Sequence, residues 1–182
     1  MENKFKTTNI KNKTRDIAFT GLLIALVFVS TTIIIFRLPI SVKGGLIHLG
    51  NVMLFVATIV FGKKKGAIAG AFGMGLFDVL SGFMNWAPFT FIIRGGMGLI
   101  LGSIAYARNK DGENVTQNVI GILLSSVWMI GGYYIAEGIL YGNWIAPVAS
   151  IPGNFIQLFV GLVLGIPLAV ILKRVFKKAN LL

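Results

Sequence analysis

The sequence contains no cysteine and only one histidine, His48, so it lacks the side chains that most metal sites depend on. Without cysteine there are no disulfides and no thiolate ligands, and a single histidine argues against a zinc site. The phosphate-binding pattern G-x-x-x-x-G-K-[ST] is also absent, so we do not expect this chain to bind ATP. The sequence therefore predicts neither a metal nor a cofactor.

Charge is scarce as well, at 13% of residues, whereas soluble domains carry about a quarter. The chain is 55% hydrophobic, its mean hydropathy is +0.83, and several apolar runs approach the roughly 20 residues that cross a bilayer. The first run, residues 17–36, has no small-residue cleavage pattern, which favours a first span over a signal peptide. These features predict an integral membrane protein.

The basic residues outnumber the acidic ones by 17 to 6, and their placement is informative. No aromatic residues interleave with them as in a nucleic-acid surface, so we expect no nucleic-acid partner. Lys and Arg gather instead at the cytoplasmic ends of membrane helices. Fourteen of the 17 lie at ends of apolar runs, in residues 4–15, 63–65, 108–110 and 173–178.

Six apolar spans predict an all-α integral membrane protein with six transmembrane helices and both termini in the cytoplasm. A basic tail, 1–16, would precede the membrane domain, 17–172, and a second basic tail, 173–182, would follow it. Lys63–Lys65 would form a tight cytoplasmic turn. The predicted spans are 17–36, 46–61, 66–82, 88–107, 117–141 and 151–172.

Two ionisable residues lie within spans three and four, where each needs a partner or a function. Asp78 is near the outer end of span three, and Arg94 follows a short turn and enters span four. One interpretation is a structural ion pair that locks the two helices. The other is that both side chains border a ligand cavity, with Trp86 in the turn between them.

A carboxylate with aromatic neighbours stands near the outer end of span five. Tyr133 precedes Glu137 by four residues, and Trp144 follows in the next loop. Such a set suits a flat ring that bears amino or hydroxyl groups. The alternative is an aromatic belt at the membrane interface with a solvated carboxylate.

Amides and the imidazole enter spans two and six from the same outer side. His48 and Asn51 are three residues apart, as are Asn154 and Gln157. Hydrogen bonds between helices would explain any one of them. Their common depth instead favours a small-molecule site at the outer face.

Small residues four apart let helices approach closely, and span one carries the pair Gly21 and Ala25. Gly66-x-x-x-Gly70, Gly98-x-x-x-Gly102 and Gly161-x-x-x-Gly165 repeat the pattern, and we expect these to pack spans inside the bundle. For the pair on span one, packing inside the bundle and contact with a helix outside it both stay open.

With these features the chain resembles the substrate-binding S components of energy-coupling factor (ECF) vitamin transporters. The resemblance covers nearly the whole chain and is greatest in IHLGNVMLFVATIVFGKKKGAIAGAFGMGLFDVLSGFMNWAPFTFIIRGGMGLILG, which is similar to the hydroxymethylpyrimidine subgroup. Two positions depart from the family pattern. Gly21 replaces the usual alanine of span one, and Asn51 stands where related sequences often have an acidic residue.

The resemblance implies a subunit of a prokaryotic cell membrane that binds a vitamin or precursor, most simply hydroxymethylpyrimidine, with pyridoxine or pantothenate as alternatives. It would dock through Gly21 and Ala25 onto a transmembrane coupling subunit (T component) driven by two ATPases, and it would not be an enzyme. Two other classes stay open: an autonomous small-solute transporter, and an intramembrane enzyme, for which His48 has no evident serine partner.

Overall fold

The structure is a computed structural model of a six-helix bundle, described over residues 2–33, 35–37 and 46–179. Two short strands and two 3-10 helices, Ala107–Asn109 and Ala146–Ser150, join the main helices. In chain order the elements are α1 (Glu2–Ile33), β1 (Ile35–Arg37), β2 (Leu46–His48), α2 (Gly50–Phe61), α3 (Lys63–Leu80), α4 (Ala87–Ala105), α5 (Val115–Tyr141) and α6 (Ile151–Lys178).

The predicted helical class is confirmed, and the helices differ in their capacity to span a membrane. Among the described residues, four segments are long and apolar enough to do so: 13–33, 87–105, 115–141 and 146–178. α2 has 12 residues, a length of about 18 Å, so it cannot cross the roughly 30 Å of hydrocarbon alone. α3 has 18 residues but begins with three lysines and ends close to Asp78.

Several predicted boundaries are wrong. Lys63–Lys65 is not a turn, because α3 begins at Lys63 and the chain reverses at Gly62, whose positive φ of 90° suits glycine. Residues 46–48 are not helical, since they pair as β2 with β1 in an antiparallel ribbon, Ile35 opposite His48. The segment between predicted spans one and two, residues 37–45, lies outside the described residues apart from Arg37.

The core forms around α2, in which ten of the 12 residues are buried. It packs against α1, α3, α4 and α6, so a helix too short to span is enclosed by longer ones. Close approach depends on glycine. A Cβ at Gly98 would lie 2.5 Å from the Ala67 backbone, and one at Gly66 would lie 2.5 Å from Thr58 Cα. The expected packing role of these small-residue pairs is confirmed.

The basic segments meet at one end of the bundle, called here the basic end. Lys65 at the start of α3 forms a 2.7 Å salt bridge with Asp16 of α1. Lys177 of α6 pairs with Glu113 in the loop between α4 and α5. The positive-inside rule assigns this end to the cytoplasm. The opposite end is called the outer end. The predicted tails stay a prediction, although α1 is continuous from Glu2 to Ile33.

Candidate functional site

Arg94 of α4 lies at the centre of a buried polar cluster in the outer half of the bundle, with 2% of its surface exposed. Its Nε donates to the Tyr133 hydroxyl at 3.0 Å. Its Nη1 donates to Asn51 Oδ1 and lies 3.0 Å from Met129 Sδ. Helices α2, α4 and α5 thus meet on one guanidinium group, which also lies 5.0 Å from the Tyr133 ring centroid.

Asp78 does not form the ion pair that one interpretation of the sequence predicts. In the described part of the structure, no salt bridge joins Asp78 to Arg94. The guanidinium group points to Asn51 and Tyr133, while the Asp78 carboxyl lies close to Thr90. Thr90 Oγ1 is in turn 3.2 Å from the Tyr133 hydroxyl. The two charges therefore share one polar cluster through neutral groups.

His48 is buried where β2 leads into α2. Its Nδ1 accepts a hydrogen bond from the backbone N–H of Gly50 at 3.2 Å. In a neutral imidazole the proton is then on Nε2, which remains a donor. The ring lies 6.3 Å from that of Phe77, centroid to centroid. The backbone thus fixes the orientation of this single histidine.

Glu137 is buried, with 4% of its surface exposed, so it is not the solvated carboxylate of the aromatic-belt interpretation. The hydroxyl of Ser150, at the end of the second 3-10 helix, donates to its Oε2 at 2.8 Å. Trp144 is exposed and packs on α5, and its carbonyl accepts a 2.6 Å hydrogen bond from Tyr134. Trp144 therefore lies at the surface beside the buried carboxylate.

An aromatic group lies between the Arg94 cluster and Glu137. The ring of Trp86 is 6.2 Å from that of Tyr133 and 5.9 Å from that of Tyr141, centroid to centroid. These are the tilted and edge-on arrangements that aromatic pairs favour. Trp86 thus joins two tyrosines of α5: Tyr133, which contacts Arg94, and Tyr141, which lies four residues after Glu137 on the same helix.

Asn154 and Gln157 are buried in the first turns of α6. This part of α6 lies beside β2 and α2, and a Cβ at Gly161 would lie 3.3 Å from Asn51 Cβ. The predicted residues of spans two to six thus lie in the same half of the bundle. Gly21 and Ala25 do not join them, since both are exposed on α1.

Four further residues belong to the cluster and were missed from the sequence. Thr90 and Met129 each lie four residues before a predicted site residue on their own helix, and this spacing is the signal that could have found them. Met97 Sδ lies 3.4 Å from Arg94 Nη1. Ser150 carries no sequence signal, because only the fold brings it to Glu137. Among the described residues, no three metal-ligating side chains lie together.

Comparison with known proteins agrees with this architecture. The family model for the S component of an ECF-type riboflavin transporter matches residues 11–174. The chain is 34% identical, over 96% of its length and 92% of the relative's, to the thiamine precursor transporter HmpT of Lactococcus lactis subsp. cremoris (strain MG1363). It is also 32% identical, over 80% of its length and 95% of the relative's, to an uncharacterised protein of Pyrococcus woesei.

A solved S component of a bacterial ECF transporter has the same fold, with a TM-score of 0.64 over 92% of this chain and 99% of that one, at 22% identity. The family consists of substrate-binding membrane subunits rather than enzymes, which confirms that part of the sequence-based prediction. The family model and the Lactococcus relative carry the names of different substrates. Because the family model covers most of the chain, the chain belongs to the family of S components of ECF-type transporters.

Proposed function

We propose that this chain captures hydroxymethylpyrimidine at the outer face of the membrane for import by an ECF complex. The observation that carries the proposal is a group of side chains in the outer half of the bundle, called here the outer cluster. It contains the buried donor Arg94, the buried carboxylate Glu137 and the rings of Trp86 and Tyr133. The 34% identity to a thiamine precursor transporter, over almost the full length of both chains, supports a pyrimidine as the ligand. Pyridoxine, pantothenate and riboflavin are the alternatives.

Arg94 would hold an acceptor atom of the ligand. Its Nε and Nη1 are both engaged with protein atoms, whereas among the described residues no hydrogen bond involves Nη2. A ring nitrogen or the hydroxymethyl oxygen of the pyrimidine can accept a hydrogen bond from that atom. Charge-assisted bonds of this kind are roughly twice as strong as neutral ones.

Glu137 would accept a hydrogen bond from a donor group of the ligand, whereas Arg94 would donate one. Ser150 occupies only Oε2, and a carboxylate has acceptor capacity for several donors. The exocyclic amino group of the pyrimidine is a matching donor. Tyr133 contacts Arg94 and lies one helical turn before Glu137, and Trp86 packs on Tyr133. These two side chains would contact the faces or edges of the ligand ring. His48, Asn154 and Gln157 would line the remaining sides.

The partners would be a T component and two ATPases, docked through α1. At Gly21 an added Cβ would meet no atom within 4 Å, and Ala25 is exposed. The surrounding apolar residues of this face, Leu22, Leu26 and Val29, are exposed as well. A helix face that is open, apolar and lined with small residues suits close packing by a second membrane protein.

The test is mass spectrometry of small molecules that copurify with the protein, followed by titration calorimetry with each candidate vitamin. We expect a pyrimidine to copurify and hydroxymethylpyrimidine to bind at micromolar concentration or below. Binding of riboflavin in its place would refute hydroxymethylpyrimidine as the substrate, but the chain would still be a substrate-binding S component. Retention of none of the candidates would overturn the site.

A further inference from the structure

A groove lies at the basic end of the bundle, at the opposite end from the outer cluster. It has a volume of about 710 Å³ and opens between residues 15–19 of α1, the junction of α2 and α3, and the end of α6. Four of its lining side chains are basic: Arg15, Lys65, Lys173 and Lys177. Two are acidic, Asp16 and Asp111, so the groove has a net positive charge.

One of these cations is a fixed charge in the floor of the groove. Lys173 has 7% of its surface exposed. Its ammonium group donates to the backbone oxygen of Ile59 at 2.9 Å, to the Tyr106 hydroxyl at 3.2 Å and to the backbone oxygen of Asp111. All three protons are thereby used. Lys173 contributes positive potential without being a free donor.

The cations at the rim differ in how firmly they are held. Lys177 pairs with Glu113, and this hydrogen bond and the lysine charge lower the pKa of the Glu113 carboxyl, which stays ionised at neutral pH. Lys65 pairs with Asp16 in a partly exposed bridge, a kind that contributes little stability. Arg15 has no salt bridge within the described part of the chain.

The remaining wall is aromatic. Phe61 contacts Phe19 at 4.8 Å and Phe176 at 5.4 Å, ring centroid to centroid, both edge-on. The Lys65 ammonium group lies 5.3 Å from the centroid of the Phe19 ring. Apolar rings are thus placed next to cations at the ends of membrane helices. This is the level at which lipid headgroups meet their acyl chains.

We infer that this groove binds the headgroup of an anionic phospholipid from the cytoplasmic leaflet. Arg15 and Lys65 would hold the phosphate, and the Phe19–Phe61–Phe176 wall would contact the beginning of an acyl chain. Basic pockets between helices on the cytoplasmic side suit such headgroups. The aromatic wall favours a lipid over a soluble phosphate, because a soluble phosphate has no apolar group to contact the three rings.

The test uses matched double variants of the full-length protein. Arg15→Gln with Lys65→Gln removes two groove cations, whereas Lys13→Gln with Lys64→Gln removes two exposed lysines on the same two helices that do not line the groove. Native mass spectrometry of protein from nanodiscs that mix phosphatidylglycerol and phosphatidylcholine would count the bound lipids. We expect the unmodified protein and the control to retain phosphatidylglycerol.

In the groove variant, affinity should fall by about fivefold for each cation removed. Equal losses in both double variants would overturn the proposal, as would equal retention of the two lipids. Competition by soluble glycerol 3-phosphate at the same affinity would assign the groove to a free phosphate instead. Protection of the groove from chemical modification only in the presence of a partner protein would assign it to a protein interface.

Discussion

At the scale of single residues, Arg94 is the least expected feature of the fold. A buried charge is costly unless its hydrogen bonds are satisfied. Asn51, Tyr133 and Met129 meet that need with neutral acceptors, and no carboxylate lies within salt-bridge distance among the described residues. The guanidinium group therefore has no carboxylate paired with it beside the proposed ligand position.

Arg94→Lys should weaken ligand binding by about ten- to a hundredfold, the effect of losing a hydrogen bond from a charged donor. Lysine keeps the charge but cannot present three nitrogens to Asn51, Tyr133 and a ligand together. Titration calorimetry measures the effect, and thermal unfolding in detergent monitors the fold. An unchanged dissociation constant with lowered stability would make Arg94 a structural residue only.

Glu137→Gln should weaken binding about tenfold, because a neutral amide is a poorer acceptor for a ligand amino group than a carboxylate. The hydrogen bond from Ser150 can persist to the amide oxygen, so the fold should be kept. Glu113→Gln at the basic end is the control and should leave the dissociation constant unchanged. Equal affinities of the Glu137 variant and the unmodified protein would assign Glu137 to packing.

At the scale of elements, α1 has two different faces. Leu23 and Val27 are buried, and a Cβ added at Gly73 of α3 would lie 2.7 Å from Val27. This face holds α1 to the bundle. Gly21 and Ala25 lie on the exposed part of the helix, so their small-residue pattern has no partner among the described residues.

Gly21→Leu should abolish assembly with the coupling subunits, because a large side chain prevents close helix approach. Ligand affinity should stay nearly unchanged, since Gly21 is remote from the outer cluster. Gly131→Leu on α5 is the matched control, because Gly131 also has no neighbour within 4 Å. Copurification of tagged subunits measures assembly. If ligand affinity fell instead, α1 would line the pocket.

The contact of α3 with α4 requires glycine at position 98 but not at position 95. Gly98→Ala would place a Cβ 2.5 Å from the Ala67 backbone, which cannot move as a side chain can. We expect a loss of about 1–3 kcal/mol of unfolding free energy. Gly95→Ala, whose Cβ would lie 3.5 Å from its nearest neighbour, should be neutral. Denaturant titration of helicity in micelles would compare them, and equal stability of both would refute the packing.

At the scale of the whole molecule, the orientation in the membrane decides which end meets the ligand. Because the chain has no cysteine, single cysteines can be introduced without background. Lys110→Cys at the basic end should react with an impermeant maleimide only after the membrane is opened. Asn143→Cys, exposed in the outer loop, should react in intact cells. The reverse pattern would invert the assigned orientation.

The sequence by itself determined the class of all-α membrane protein, the presence of six helices, and the placement of the basic segments at one end of the bundle. Apolar run length and lysine placement are local properties, and they survive in any packing of the helices. Spacing also predicted that His48, Asn51 and Asn154 would share one end of the bundle.

Only the tertiary structure decided which polar groups touch. Arg94 contacts Asn51 and Tyr133, which lie 43 and 39 positions away in the chain, rather than the nearer Asp78. Short turns bring helices together but do not fix their rotation, and rotation selects the partner of a buried side chain. Burial likewise separated Glu137, which is enclosed, from Trp144, which is exposed, because enclosure depends on elements that lie apart in sequence.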